Sequence, residues 1–298
     1  MDTFLMSTDY DLISARHHFL TTDVVVDFCR YFADYLSGKP FDPPYLTQTH
    51  RPKCQYVFTS MEDAWGQYAL EASNLDSYDR LCRYQAPLRE AVSNRDDART
   101  LELIDRIFSE KLIAANNREW LKANQNGLAE LLLYACDCLT DPSPDYKVFG
   151  IENGPRMSAT FSRIYAILIG HFISYESRVA AGLCYMIRRF CLECGIDLPP
   201  QLQLGRIQGW GKGKKDNGRN ASWGKNVFPS IDTIKSKTTR ESHYAQANIL
   251  ASWIALEALT IACQRQKGNA TFWLHGEHAM RRIEAALYMI GAELPPAL

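Results

Sequence analysis

The sequence predicts an all-α protein. Apolar residues recur at three- and four-residue steps through most of its 298 residues, which is the spacing of one face of a helix. Short stretches rich in proline and glycine separate these periodic segments, as expected of turns between helices. Hydrophobic residues make up 46% and charged residues 22% of the chain, so it can bury the core of one large domain or of two small ones.

Periodicity assigns the main helices in order. Four segments carry a single apolar stripe and are predicted to be amphipathic: 98–113, 128–139, 179–192 and 280–290. Two others are apolar on almost all sides, which is typical of helices buried at the centre of a protein: 157–172 and 245–263. Residues 54–59 could form a short strand, but no other segment pairs with them convincingly.

The breakers between the helices divide the chain into two parts. Residues 38–44 (Gly-Lys-Pro-Phe-Asp-Pro-Pro) end the first helical region, and residues 141–144 (Asp-Pro-Ser-Pro) end a later helix. Gly195 is a predicted helix C-cap. We therefore expect two helical lobes, an N-terminal lobe over 1–145 and a second lobe, which carries the site, over 146–298.

Net charge and cysteine content limit the partners and the cellular compartment that the sequence predicts. The net charge is −1, which argues against a protein that coats nucleic acid with its whole surface but allows a local basic face. Nine cysteines, an odd number, fit reduced thiols, and the acidic N-terminus lacks the basic region of a secretory signal. We expect a cytoplasmic protein. No apolar run is long enough to predict a membrane span, and the sequence leaves the oligomeric state open.

Residues 205–227 form a glycine-rich loop whose charge differs from that of the whole chain. One acid, Asp216, stands against six basic residues, which gives a local charge of +5: Arg206, Lys212, Lys214, Lys215, Arg219 and Lys225. A solvated, flexible loop would explain the cations alone. Two tryptophans, Trp210 and Trp223, favour another interpretation, because an exposed indole has a hydration cost unless something stacks on it. Mixed cations and aromatics favour contact with nucleic acid.

Residues 150–181 place a glycine turn, an apolar helix, and then an acid and a base at the start of a second apolar helix. The turn at Gly154 could present backbone N–H groups to a phosphate. Ser174 is a candidate N-cap for the second helix, with Glu176 and Arg178 in its first turn. Glu176 could simply favour the positive end of the helix dipole. Alternatively, the dipole and Arg178 keep the carboxylate ionised, so that it activates water or stabilises positive charge on a sugar.

Other polar residues give weaker signals. Cys191 and Cys194 form half of a zinc pattern, and His275 and His278 lack a third ligand, so no metal site is predicted. The chain has no Walker loop and no dinucleotide fingerprint, so no cofactor is predicted. Asn248 is a polar residue in an almost wholly apolar segment, and a buried asparagine needs partners. It either caps a loop or contacts a ligand.

Short motifs in this region resemble the helix-hairpin-helix DNA glycosylases. Gly154-Pro-Arg-Met-Ser-Ala159 is similar to the glycine-rich hairpin of that superfamily. Ser162-Arg-Ile-Tyr165 and Tyr175-Glu-Ser-Arg-Val179 are similar to a pattern of bacterial 8-oxoguanine-DNA-glycosylase-like proteins, Ser-Lys-hydrophobic followed by Tyr-Asp-Ser-Arg-Val. The resemblance covers residues 145–260 and implies a helix-hairpin-helix glycosylase-like fold.

Two departures from that pattern shape the expected chemistry. In lyase-type members a lysine after the hairpin attacks the sugar, and an aspartate further along is the essential acid. Here Arg156 and Arg163 stand at the candidate lysine positions, and Glu176, 20 residues after Arg156, replaces the aspartate. Arginine cannot form the Schiff base of a lyase. The resemblance therefore implies a monofunctional glycosylase that uses water and leaves an abasic site, and antiviral enzymes that attack modified phage DNA are one such group.

The resemblance implies a role for each candidate residue. Glu176 would activate water and stabilise the oxocarbenium-like state, with Arg178 and Tyr175 orienting it. Double-stranded DNA would be the partner, and its contacts would be Gly154, Arg156, Arg163, Arg206, Lys212, Lys214, Lys215, Arg219 and Lys225. The target base would be flipped into a pocket formed by Trp210, Trp223, Asn248 and Trp253. The alternative, which the loss of both lysines favours, is a non-catalytic nucleic-acid-binding or scaffold protein on the same fold.

Overall fold

A computed structural model describes residues 14–50, 53–70, 72–108, 115–208, 218–269 and 271–295 of the protein. These residues form eleven α-helices and one two-stranded antiparallel sheet, which confirms the mostly helical expectation. The elements in chain order are α1 (Ala15–Leu20), α2 (Asp23–Leu36), β1 (Tyr45–His50), β2 (Lys53–Phe58), α3 (Met61–Leu70), α4 (Ala72–Ser93), α5 (Asp97–Ile107), α6 (Ala115–Ala123), α7 (Leu128–Thr140), α8 (Ala159–Leu168), α9 (Ser177–Cys194), α10 (Lys237–Arg265) and α11 (Ala279–Ile290).

The predicted helices are present, with ends set by their caps. Gly195 ends α9 in the left-handed conformation, with φ 65°, as its position after the apolar stripe predicts. The helix predicted over 157–172 is shorter, because the Ser158 hydroxyl caps α8 by accepting the Phe161 N–H at 3.4 Å. The helix predicted over 245–263 is longer, since α10 begins at Lys237.

The possible strand over 54–59 is confirmed as β2, but its partner β1 was not predicted, because the exposed face of the hairpin carries apolar residues. Tyr45 pairs with Phe58 across the two strands, and both side chains are buried. Leu46 pairs with Val57 on the opposite face, where both are exposed. With apolar residues on both faces, the period-two pattern that identifies a half-buried strand is weak in residues 45–50.

One hydrophobic core joins helices from both sides of residue 145. The α2 helix packs along α10, and α3 packs against α11. Buried residues from Val25 to Leu294 belong to a single cluster. By length and composition α10 could cross a membrane, although the sequence analysis expected no run that long. Half of its most apolar stretch is buried among the other helices.

Two glycines allow α11 to lie directly against the start of α9. A Cβ atom on Gly182 would overlap the carbonyl oxygen of Leu287, and one on Gly291 would overlap the carbonyl oxygen of Arg178. Only a residue without a side chain permits such an approach of two backbones. The contact fixes the N-terminal half of α9, and with it the residues just before that helix.

Candidate active site

A cavity of about 540 Å³ lies where the ends of five helices meet. It is bounded by the end of α5, by α6, and by the first turns of α8, α9 and α10. Its volume falls within the range of about 300–1,000 Å³ that is usual for ligand sites. The wall residues with ionisable or amide side chains are Asn116, Asn117, Arg156, Arg163, Glu176, Gln208, Asp232, Arg240 and Glu241.

Glu176 is the N-cap of α9, and its side chain lines this cavity. Its Oε1 accepts the backbone N–H of Arg178 at 3.2 Å, so the carboxylate lies at the positive end of the helix dipole. The side chain is partly exposed and forms no ion pair within the described part of the chain. The expectation that Ser174 caps this helix is wrong, because the cap lies two residues further on.

Buried side chains of α8 and α10 hold the backbone just before Glu176. The Asn248 amide donates to the Ile173 carbonyl at 2.8 Å and accepts the Ser162 hydroxyl at 2.5 Å. The Tyr175 N–H donates to the same Ser162 hydroxyl at 2.7 Å. Asn248 is fully buried and its partners are all internal, so it supports the loop rather than lining the cavity.

The same loop is fixed from α11 and from the side of α10 that faces it. The Ser174 N–H donates to Glu284 Oε2 at 2.7 Å, and Arg281 donates both to that carboxylate and to the Phe172 carbonyl. Burial raises the pKa of the Glu284 carboxyl above its ordinary value, and the Arg281 guanidinium opposes the shift. The Tyr244 hydroxyl donates to the carbonyl of the residue preceding Glu176. Side chains from three helices thus set the position of the Glu176 carboxylate.

The glycine turn before α8 is closed on itself. The Gly154 N–H donates to the Ile151 carbonyl at 3.2 Å, so this N–H is not presented to a phosphate as predicted. A Cβ atom on Gly154 would lie 2.7 Å from the Val148 carbonyl, which explains the glycine by close packing. Gly150 adopts φ 80° and donates its N–H to the Pro155 carbonyl at 3.0 Å.

The two arginines at the predicted lysine positions have different environments. Arg156 is buried, 3.4 Å from Glu241, and donates to the Asn116 carbonyl at 3.0 Å. The second carboxylate oxygen of Glu241 accepts the Met157 N–H at 2.9 Å, so this pair fastens the turn to α10. Arg163 is partly exposed, lines the cavity from α8, and forms no ion pair within the described residues. Arg156 therefore has a carboxylate partner, whereas Arg163 has none among the described residues.

The predicted orienting side chains do not enter the cavity. The Tyr175 side chain is fully buried, and its hydroxyl donates to the Gly205 carbonyl at 2.8 Å. The Arg178 guanidinium lies over the Tyr288 ring, 4.4 Å from its centroid. Arg178 therefore contacts Glu176 through its backbone N–H, and Tyr175 acts only as a buried anchor of the loop before α9.

One described end of the basic loop lines the cavity, and the other end contacts a residue of the cavity wall. Gln208 lines it, and its N–H donates to Asp232 Oδ2 at 2.6 Å. On the returning side, Arg219 donates to the Ser177 hydroxyl at 3.0 Å, and burial lowers the pKa of its guanidinium. Residues 209–217 lie outside the described residues, and with them the predicted contacts Trp210, Lys212, Lys214 and Lys215.

The remaining basic candidates of the loop point away from the cavity. The Arg206 Nε donates to the Phe228 carbonyl at 3.2 Å. Lys225 is exposed and lies 2.8 Å from Asp197. Neither residue is among those that line the cavity, so any contact they make with DNA would lie outside it.

The described residues of the predicted base pocket lie outside this cavity. Trp253 is buried on α10 against Phe19, with ring centroids 5.9 Å apart. Trp223 packs against Phe228 at 6.2 Å. Neither lines the cavity, and Asn248 does not either. The aromatic residues that do line it are Phe108 and Tyr244.

The cavity residues that come from α6 and α10 were not predicted from the sequence. Asn117 donates to the Ser158 hydroxyl at 3.2 Å, and Arg240 donates to the Ile234 carbonyl at 3.1 Å. One available signal was Lys237-Thr-Thr-Arg-Glu241, which places cations three residues apart at the start of a helix. Within the described part of the chain, no group of three or more His, Cys, Asp or Glu side chains is arranged to hold a metal ion.

Comparison with known proteins adds no further information about the site. No family model, curated protein or solved structure matches this chain.

Proposed function

We propose that the protein is a monofunctional DNA glycosylase of the helix-hairpin-helix type. It would hydrolyse the N-glycosidic bond of a modified or damaged base flipped out of double-stranded DNA, and leave an abasic site. Phage DNA with modified bases is one candidate substrate.

The observation that carries the proposal is the position of Glu176. Its carboxylate borders a cavity of about 540 Å³ and caps a helix, yet it is engaged in no ion pair within the described residues. An unpaired, rigidly held carboxylate in a concave site is what water activation requires.

The other cavity residues fit the same chemistry. As the glycosidic bond breaks, positive charge develops on the sugar, and the Glu176 carboxylate would stabilise that charge and orient the attacking water. Phe108 and Tyr244 would provide apolar and aromatic surface for the flipped base. The Arg163 guanidinium cannot act as a lyase nucleophile, but it can donate hydrogen bonds to an acceptor oxygen of the nucleotide.

The test is a panel of duplexes, each with one damaged or modified base, scored for abasic sites. We expect product from the wild-type protein on at least one duplex, and a loss of about 10²–10⁴-fold in rate for Glu176→Gln. Glu152→Gln is the matched control, because Glu152 is exposed on the turn before α8 and does not line the cavity. Equal product from wild type and Glu176→Gln would contradict the assignment.

A non-catalytic nucleic-acid-binding protein is the second candidate, and Arg156 and Arg163 in place of lysine favour it. It predicts that the wild-type protein binds the same duplexes but forms no product on any of them. Binding and product formation are therefore measured on the same samples, by fluorescence anisotropy and by alkaline cleavage at abasic sites.

Both candidates predict contact between the basic loop and phosphate groups. Neutralising Lys212, Lys214 and Lys215 together should remove about three ion contacts, and the log–log slope of affinity against salt should become shallower by about 2–3 units. Replacing Trp210 by alanine should instead cost about 1–3 kcal/mol with little change in slope, because stacking is not ionic. An unchanged affinity and slope in the triple lysine variant would reduce the loop to a solvated insertion.

A further inference from the structure

A second depression, of about 440 Å³ and more open, adjoins the cavity that contains Glu176. The two share Asn116, Arg156 and Arg240 in their walls, so they form one continuous surface. We name the second depression the α6–α10 groove, and its lining residues are Asn116, Glu119, Trp120, Ala123, Arg156, Lys237 and Arg240. A ligand that filled only the cavity would leave this groove empty, whereas a chain-like ligand would continue into it.

One face of α6 forms a wall of the groove. Asn116, Glu119, Trp120 and Ala123 follow each other at steps of three, one and three residues, which places them on one side of a helix. Lys122 lies on the same helix, is exposed, and does not line the groove. Lys122 therefore serves as a control position on the same helix, outside the groove.

The opposite wall, from α10, supplies cations that are incompletely compensated. Arg240 donates to the Ile234 carbonyl and forms no ion pair within the described residues. Lys237 lies 3.9 Å from Glu241, but its side chain is 55% exposed, and Glu241 is already bonded to Arg156. An exposed ion pair at this distance contributes little, so Lys237 is available to an external anion.

Trp120 adds an aromatic surface to the same groove. Its ring packs edge-to-face on Phe161, with centroids 4.9 Å apart and an interplanar angle of 87°, and the side chain remains partly exposed. Cations beside a partly exposed indole are the combination that binds a sugar-phosphate chain, because the cations pair with phosphates and the indole packs against sugar or base. Glu119 is the one acid among the groove residues.

We propose that the α6–α10 groove binds the DNA backbone next to the flipped nucleotide. Lys237 and Arg240 contact its phosphates, and Trp120 packs against the adjoining sugar. This inference rests on the proposed function, because it takes the cavity to hold the flipped nucleotide. The DNA strand that carries this nucleotide would then leave the cavity past Arg156 and run along α6. It assigns to α6 and α10 a part of DNA binding that the hairpin at Gly154 does not supply.

The probe is a fluorescein-labelled 20-base-pair duplex with a central tetrahydrofuran abasic-site analogue, titrated at several salt concentrations. Lys237→Gln should make the log–log salt slope shallower by about 0.9 unit, and Lys237→Gln with Arg240→Gln by about 1.8 units. Lys122→Gln should leave the slope unchanged. Trp120→Ala should weaken binding about fivefold or more without changing the slope, and Trp120→Phe should restore most of the affinity. Glu119→Gln should tighten binding.

The outcomes separate this inference from the proposed function. If the double variant binds with the wild-type affinity and slope, the groove does not hold the backbone, even if the wild-type protein forms abasic sites. If the double variant shows the shallower salt slope but the wild type forms no product on any duplex, the groove binds the DNA backbone and the glycosylase proposal is wrong. Lys237→Gln, an exposed change, keeps the test valid should the Arg240 variant fail to fold. A wild-type protein that does not bind the duplex overturns both.

Discussion

Asn248→Leu tests the claim that buried side chains position the loop before Glu176. The substitution leaves the buried Ile173 carbonyl without its 2.8 Å donor and the Ser162 hydroxyl without its 2.5 Å acceptor. Each buried group that loses its partner costs about 1–3 kcal/mol, and the apolar surface of leucine offsets about 1–2 kcal/mol of the sum. We expect a net loss of about 3 kcal/mol in the free energy of unfolding, or about 5 °C in Tm for a chain of this length.

The assay combines urea and thermal unfolding with hydrogen exchange at the amides of residues 173–175. Gln246→Leu is the matched control, because Gln246 lies two residues away on α10, is partly exposed, and makes one bond of 3.4 Å to the Tyr146 hydroxyl. The control should change the free energy of unfolding by less than about 0.5 kcal/mol. If Asn248→Leu were as stable as this control, with unchanged exchange in the loop, the reasoning about the network would be refuted.

Two further predictions test the packing on which the site rests. Gly182→Ala should destabilise the protein by about 3 kcal/mol or more, because the new Cβ would overlap a backbone carbonyl of α11. Gly66→Ala, with no atom within 4 Å of the new Cβ, should be neutral or stabilising. Urea unfolding distinguishes the two variants, and equal midpoints would contradict the close contact of α9 and α11. Cys194 is exposed and should react with iodoacetamide at pH 8 in the native protein. Burial raises the pKa of the Cys184 thiol to about 12, so Cys184 should react only after unfolding. Peptide mass spectrometry measures both reactions, and labelling of Cys184 in the native protein would contradict its burial.

Sequence reasoning succeeded where local pattern decides structure. The apolar stripe of residues 179–192 predicts α9, and the left-handed Gly195 ends it as expected. The placement of Glu176 at the start of that helix also follows from local sequence, although the cap is Glu176 itself rather than Ser174. The strand predicted over 54–59 matches β2, but β1 was not predicted, because the exposed Leu46 weakens the alternation of apolar and polar residues.

The composition of the cavity could not be predicted from local sequence, because it is set by contacts between distant residues. Glu241 reaches Arg156 from 85 positions along the chain, and this pair orients the turn before α8. Trp253 was assigned to a base pocket by residue type, but α10 is apolar on nearly all sides and buries it. Arg240 was overlooked, since nothing in the sequence around it indicates that the start of α10 meets the start of α9.

The most direct measurement for the central claim is a single-turnover assay of Glu176→Gln on whichever duplex the wild-type protein cleaves fastest. Glu176 is the N-cap of α9, whose first turn contains no acidic residue, and glutamine preserves the size of the side chain while removing its charge. The account predicts a rate of base release about 10²–10⁴-fold below wild type, with Kd for the duplex changed less than about threefold. A Glu176→Gln protein that releases the base at the wild-type rate would contradict it.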